Sequence, residues 1–226
     1  MVKKITRFLF KAFLWFLGIS VFFVIIFKFL PVPFTPLMPV RAMEQRADGK
    51  EVHFSHDWVP LEDISQNLQK AVIASEDDTF LDHNGFDFQA LKKAYKNNSK
   101  GKKLKGGSTI SQQTAKNVFL WQGRSYFRKA LEAYFTVLIE IFWGKERIME
   151  VYLNSIEMGD GVYGAEAAAQ HWYGKSCKSL TKTEAAGIAA ILPNPRKFKA
   201  SNSSSYINNR KTKIVRRMRY VGDLDY

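Results

Sequence analysis

Between Ala12 and Phe27 the chain reads AFLWFLGISVFFVIIF, with no charged side chain, and Phe29 and Leu30 carry the apolar run past Lys28 until Pro31 ends it. Lys11 and Lys28 can extend their charged ends toward water, which brings the span close to the roughly 20 residues needed to cross a bilayer. A cleaved signal peptide has a shorter apolar region followed by small residues at the cleavage point. Here Pro31-Val-Pro-Phe-Thr-Pro follows, so residues 12–30 are expected to stay as a transmembrane anchor. Lys3, Lys4, Arg7 and Lys11 precede the span. The excess of basic residues on that side keeps 1–11 in the cytoplasm and sends everything after Pro31 outward.

The 226 residues leave room for this anchor and one domain of ordinary size. Lys and Arg number 34 against 21 Asp and Glu, a formal charge of +13, which calls for a polyanionic partner: nucleic acid, anionic lipid or a phosphorylated substrate. An outward-facing domain has no ordinary access to nucleic acid, which weakens that choice. The charge concentrates at the N-terminus, from Lys92 to Lys105 and from Arg196 to Arg219. Cys177 is the single cysteine, so neither an internal disulfide nor a thiolate metal site is available.

Residues 31–60 read as a linker and membrane-proximal segment, proline-rich and semi-extended from Pro31 to Pro39, with one short strand near Val52 and Phe54. From there the spacing of apolar residues is helical. Leu61, Ile64, Leu68, Ala71 and Val72 mark one helix, and Phe88, Leu91, Ala94 and Tyr95 another after an Asp87 cap. A long helix is expected from Ser125 to Trp143, then helices over Lys145 to Asn154, Tyr163 to Tyr173 and Thr181 to Leu192, the last opening with the capping box Thr181-x-x-Glu184. A mainly α domain follows, with its core over 61–198 and a basic helix or tail over 199–226.

Four stretches carry candidate chemistry. In Ser75-Glu-Asp-Asp-Thr-Phe-Leu-Asp-His-Asn-Gly-Phe-Asp87, acids crowd the exit of an amphipathic helix. A carboxylate beside Ile73 and Phe80 has the apolar setting that raises a pKa toward general-base values, although a solvated acidic turn would read the same way. His83 suits an orienting or capping role better than metal ligation. In the second, Gly106-Gly-Ser-Thr-Ile-Ser-Gln-Gln-Thr-Ala-Lys-Asn117, a glycine pair leads into a helix capped by Ser108 or Thr109, with Gln112 and Lys116 four apart on one face. In the third, Arg124 precedes the long helix, and Arg128 and Lys129 lie within one turn of Glu132. The fourth, from Lys145 to Lys175, combines glycines that fit tight turns with alanines that allow close helix packing.

In this order the four stretches resemble glycosyltransferase family 51, the peptidoglycan polymerases. The matching text is EDDTFLDHNGFD, GGSTISQQTAKN, RKALEAYFTVLIE and KERIMEVYLNSIEMGDGVYGAEAAAQHWYGK, followed by the weaker EAAGIAAILPNPRKF, together spanning roughly Leu61 to Phe198. The resemblance implies a lysozyme-like, two-lobed helical domain behind the transmembrane helix. It also implies lipid II and the growing glycan strand as substrates, in the bacterial cytoplasmic (inner) membrane with the catalytic domain in the periplasm. Cell-wall synthesis or division proteins are expected partners, alongside the bilayer itself.

Carried over by position, the resemblance makes Glu76 the general base and Glu132 the second essential carboxylate, either as a structural partner of the cations or as a metal-assisting group. Lys116 and Arg124 fall on pyrophosphate-binding positions, with Arg128 and Lys129 nearby, Ser108, Thr109 and Gln112 as hydrogen-bonding supports, and Asp77 and His83 as supporting residues. No tightly bound cofactor is implied beyond a Mg2+ or Mn2+ ion assisting the pyrophosphate. Ser99-x-x-Lys102 and Ser179-x-x-Lys182 match SxxK, but neither SDN nor KTG accompanies them. The expectation is therefore polymerisation without transpeptidation. A lytic enzyme with the same fold and a noncatalytic membrane scaffold are the rival readings; the first has no need of the cations, and the second leaves the acidic loop unexplained.

Overall fold

The computed structural model describes residues 2–92, 107–123, 125–224 and 226. Arg124, most of the basic stretch up to Lys105 and the continuation of the helix expected through Tyr95 lie outside the described residues. The described residues are mainly α, with one small sheet.

Helix α1 runs over Val2–Phe29, and its segment Lys3–Phe29 is long and apolar enough to cross a membrane. At 1.5 Å per residue its 28 residues measure about 42 Å, so the basic first turns continue the same helix beyond the apolar span. It does not stand apart from the rest. The Trp143 indole N–H donates to the Val24 carbonyl at 2.7 Å, and the Ser20 and Tyr134 hydroxyls are bonded at 2.6 Å. Arg147 donates to the Phe27 carbonyl at 2.8 and 3.0 Å and to that of Leu30 at 2.5 Å. Helix-end carbonyls lack partners within the helix, so this guanidinium both satisfies them and complements the helix dipole.

The expectation of an extended linker up to Pro39 is corrected. Helix α2 (Leu37–Ala47) begins inside it, with Pro36 as its N-cap and Pro39 in its first turn. Proline is tolerated there because first-turn N–H groups have no intrahelical acceptor to lose. The strand expected at Val52 and Phe54 forms one residue later, as β1 (Ser55–His56), and two strands went unseen: β2 (Glu157–Gly159) and β3 (Val162–Tyr163). The order is β1-β3-β2, with β1 parallel and β2 antiparallel to β3. Asp160 and Gly161 make the hairpin turn, Gly161 at φ +71. Tyr163, read as the start of a helix, is instead in β3, and that helix begins two residues later.

The remaining helices follow the apolar periodicity closely. After a 3-10 turn at Leu61–Asp63, α3 covers Gln66–Glu76 with Ser65 as its cap. Then come α4 (Ile110–Phe119), α5 (Tyr126–Phe142), α6 (Gly144–Ser155), α7 (Ala165–Tyr173), α8 (Lys182–Ile191) and α9 (Ser205–Arg217). The capping box at Thr181 and Glu184 is present as expected. The basic C-terminal segment is a helix, not a tail: α9 buries Ile207 and Ile214 against α8 and α3. Through the centre passes α6, whose Ile148, Met149, Val151, Tyr152 and Leu153 have no exposed surface. Each such side chain contributes about 1.5–3 kcal/mol by leaving water, which makes α6 the spine against which the others pack. Two halves result, one of α3, α8 and α9 and one of α4, α5 and the docked α1.

Candidate active site

Glu76 is the last residue of α3, and Asp77 caps that helix. The end of an apolar helix directs the Glu76 carboxyl inward, where Oε2 accepts from Gln113 Nε2 of α4 at 3.1 Å and Oε1 from the Ser75 hydroxyl at 3.3 Å. The Gln113 carbonyl in turn accepts from the Tyr152 hydroxyl of α6 at 3.4 Å. Burial pushes the Glu76 carboxyl above its ordinary pKa; the Gln113 bond, the charge of Arg210 and the Ser75 bond pull the other way, and Asp77 adds to the rise. Burial, reinforced by Glu76 and Asp77, lifts the Tyr152 phenol well above its usual range, so it remains a neutral donor. Among the described residues no cation touches Glu76, and the groups that hold it are neutral.

Its neighbour Asp77 is a structural hub. Both oxygens accept from His83 Nε2, at 3.0 and 3.1 Å, and Oδ2 also accepts the Ile110 backbone N–H at 2.9 Å, in the first turn of α4. The other ring nitrogen of His83 accepts from the Gly85 N–H at 3.1 Å, which fixes the tautomer with the proton on Nε2. A buried carboxylate at a helix N-terminus satisfies an orphan amide and complements the dipole. Asp77 therefore ties α3, the 77–87 loop and α4 into one piece. The loop lies against α5 at Gly85, whose φ is +85 and where a Cβ would come within 2.7 Å of the Thr136 methyl. Thr79 donates to Asp87 Oδ2 at 2.9 Å, and Asp87 caps the helical turn that follows through the Ala90 N–H at 2.7 Å.

At the start of α4 the N-cap is Thr109, with Gln112 completing a capping box: the Gln112 carbonyl accepts from the Thr109 N–H at 3.0 Å. Ser108, the alternative cap, is exposed just outside the helix. The expected pairing of Gln112 with Lys116 on one working face is thus corrected, because the Gln112 side chain is buried and engaged in its own helix end. The residue that shares the half-exposed face with Lys116 is Gln113, three positions earlier. Sequence reasoning missed Gln113, Tyr152 and Arg210. The Gln112-Gln113 doublet held a signal for the first, since the capping box consumes one glutamine and leaves its neighbour to point elsewhere.

One turn along α4 lies the cationic part. Arg128 Nη1 donates to Glu132 Oε2 at 3.0 Å and Lys129 Nζ to Glu132 Oε1, while the Glu132 side chain is only 4 % exposed. Burial lowers the Lys116 pKa, the Glu132 charge raises it, and Arg128 and Lys129 lower it further, so all four charges share one environment. Three cations against one carboxylate leave a local surplus of +2. Ser125, the N-cap of α5, sits at the mouth of this cluster, and Tyr126 and Phe127 beyond it are 98 % and 68 % exposed.

Among the described residues no group of three His, Cys, Asp or Glu side chains is arranged to hold a metal ion. Among these residues both Glu132 oxygens are engaged by Arg128 and Lys129, and the Glu76 oxygens face Gln113 and Ser75.

What the arrangement offers is a half-buried, weakly held carboxylate beside a polar wall, with a surplus of positive charge about one helical turn away. A family model described as transglycosylase matches residues 44–219. The chain is 58 % identical over 191 residues, covering 84 % of it and 81 % of the relative, to a biosynthetic peptidoglycan transglycosylase of Caulobacter vibrioides. Proteins of the same description from Bdellovibrio bacteriovorus and Pseudomonas syringae pv. syringae are 51 % and 48 % identical, covering 96 % and 100 % of this chain and 86 % and 96 % of theirs. Four motif stretches, a helical domain behind a membrane-length helix and a match over most of the chain agree: it belongs to the transglycosylase family.

Proposed function

We propose that this chain is a peptidoglycan glycosyltransferase that extends glycan strands from lipid II, a disaccharide-pentapeptide carried on undecaprenyl pyrophosphate. The observation that carries this reading is the pairing of one half-buried carboxylate, Glu76, with the cations Lys116, Arg128 and Lys129 around Glu132. A glycosyl transfer that expels a pyrophosphate needs both, whereas strand cleavage needs only the first.

In this mechanism the Glu76 carboxylate takes the proton of the acceptor's 4-hydroxyl, and that oxygen attacks C1 of the donor's N-acetylmuramic acid. The bond from C1 to the pyrophosphate oxygen breaks with its electron pair going to the leaving group, so a single displacement inverts the anomeric centre and no enzyme nucleophile is required. The leaving group gains negative charge, which Lys116, Arg128 and Lys129 are placed to stabilise, with Arg124 as a further cation by position. Prepositioned charges of this kind contribute on the order of 10²–10³ in rate, comparable to the 10²–10⁴ of a general base. Glu132 acts as the structural partner of Arg128 and Lys129 rather than as a metal ligand, and holds their donors in place before the pyrophosphate arrives.

The one membrane-length helix among the described residues supports a single-pass protein, and the basic residues before it support a cytoplasmic N-terminus with the catalytic domain outside the inner membrane. The full chain in detergent should lengthen labelled lipid II into glycan. Intact lipid II with shortened preformed strands would indicate a lytic enzyme instead.

A further inference from the structure

The mechanism above makes no use of α9, yet this helix reaches the base. Ser75, adjacent to Glu76, has its hydroxyl 3.4 Å from the Ala189 carbonyl as well as 3.3 Å from the Glu76 carboxyl. Arg210 of α9 donates through Nε to the next carbonyl, Ala190, at 3.1 Å. Ala189 and Ala190 lie in the last turn of α8, where carbonyls have no partner within the helix. The Ala190 carbonyl therefore holds Arg210 next to the Ala189 carbonyl that the Ser75 hydroxyl faces, its one proton going either there or to Glu76. Two turns further along α9, Arg217 donates to Asp78 Oδ2 at 2.7 Å, so the helix grips the 75–78 segment at two points. Arg210 acts on Glu76 through its charge, whereas the ion pair that α9 makes with this segment is that of Arg217 with Asp78.

We propose that Arg210 is a positioning residue for the base: fixed by the end of α8, its guanidinium keeps the Glu76 carboxylate ionised without touching it. The proposal rests on the reading of Glu76 as the base. A contact ion pair would occupy the lone pairs that must receive the acceptor's proton, as Arg128 and Lys129 do at Glu132. A charge held just out of contact favours the ionised form and leaves those lone pairs open. The groups facing Glu76 divide accordingly. Asp77 and the apolar burial favour the neutral acid; Gln113 of α4, Ser75 and Arg210 favour the carboxylate, and Tyr152 of α6 stays neutral behind Gln113.

The test is the pH–rate profile of lipid II polymerisation by the full chain for Arg210→Gln, Arg210→Lys and Arg217→Gln, with folding checked by circular dichroism and thermal melting. Arg210→Gln is expected to move the acid limb to higher pH, with a loss on the order of tenfold on that side and the alkaline plateau kept. Arg210→Lys restores the limb, and Arg217→Gln leaves it in place. An equal loss at every pH in Arg210→Gln, no rescue by lysine, or an unshifted limb would each overturn the proposal and leave Arg210 as a bracket between α8 and α9. Failure of the underlying reading looks different: Glu76→Gln would then keep near-normal turnover, whatever Arg210 does.

Discussion

Glu76 touches α4 at Gln113, the Glu132 charge acts on that helix at Lys116, about one turn along, and the sequence places each carboxylate beside other charged residues. Their surroundings differ in kind. Glu76 is held by an amide and a hydroxyl, with the Arg210 guanidinium acting on it through its charge, and burial raises its pKa. Glu132 is more deeply enclosed, yet it is clasped by Arg128 and Lys129. A carboxylate with only neutral partners keeps lone pairs open to an incoming proton; one locked to two cations spends them on those contacts and gains a fixed position. The same side chain thus serves as a reagent in one place and as a scaffold for positive charge in the other.

The comparison can be broken most directly at Glu76. Glu76→Gln keeps the shape and both neighbours and removes the base, so turnover should fall by roughly 10² or more at unchanged melting behaviour near pH 5. Glu132→Gln should cost less in turnover, roughly tenfold, and show mainly as a raised donor KM, because the cations lose their alignment rather than the reaction its base. It should also lower stability by about 1–3 kcal/mol, since the nearly buried Arg128 loses its charged partner; the half-exposed Lys129 adds little. Denaturant melts and a kcat against KM split would read both effects.

The two adjacent glutamines sharpen the same contrast. Gln113→Ala removes a group that touches Glu76 and should reduce turnover about tenfold with little change in stability. Gln112→Ala removes half of the capping box and should cost about 1 kcal/mol of stability with turnover close to normal. The reverse pattern would return the working face of α4 to Gln112.

The smallest expected effect concerns stability and pH. The folded-state pKa of Glu76 lies above its ordinary value of 4.5, so the folded protein holds that proton more tightly than the unfolded chain. Stability from this group is therefore full at low pH and declines as pH rises from about that ordinary value through the raised one. Glu76→Gln, which stays neutral, should be slightly more stable than the parent at neutral pH, with the gain vanishing at acid pH in paired thermal melts.

Much of the helical frame was legible because buried helices impose a 3.6-residue spacing that α5, α6 and α8 obey, and because Ser125 and Thr181 announce their caps. Glu76 and the cations were legible as residues but not as an assembly. Gln113, Tyr152 and Arg210 come from three different helices and are gathered around Glu76 by tertiary packing, which no local pattern encodes. The sheet was missed because strands of two or three residues are too short to show an alternation. Helix α2 was missed because proline was read as a breaker, when in the first turn it is harmless.

The division of labour between the two glutamates is tested most directly by measuring kcat and donor KM for Glu76→Gln and Glu132→Gln side by side, in lipid II polymerisation by full-length, folded protein. A loss in Glu76→Gln that falls on kcat with donor KM nearly unchanged, beside a Glu132→Gln loss that falls mainly on donor KM, is the predicted result. Matching losses in the two parameters for both variants, or near-normal kcat in Glu76→Gln, would contradict it.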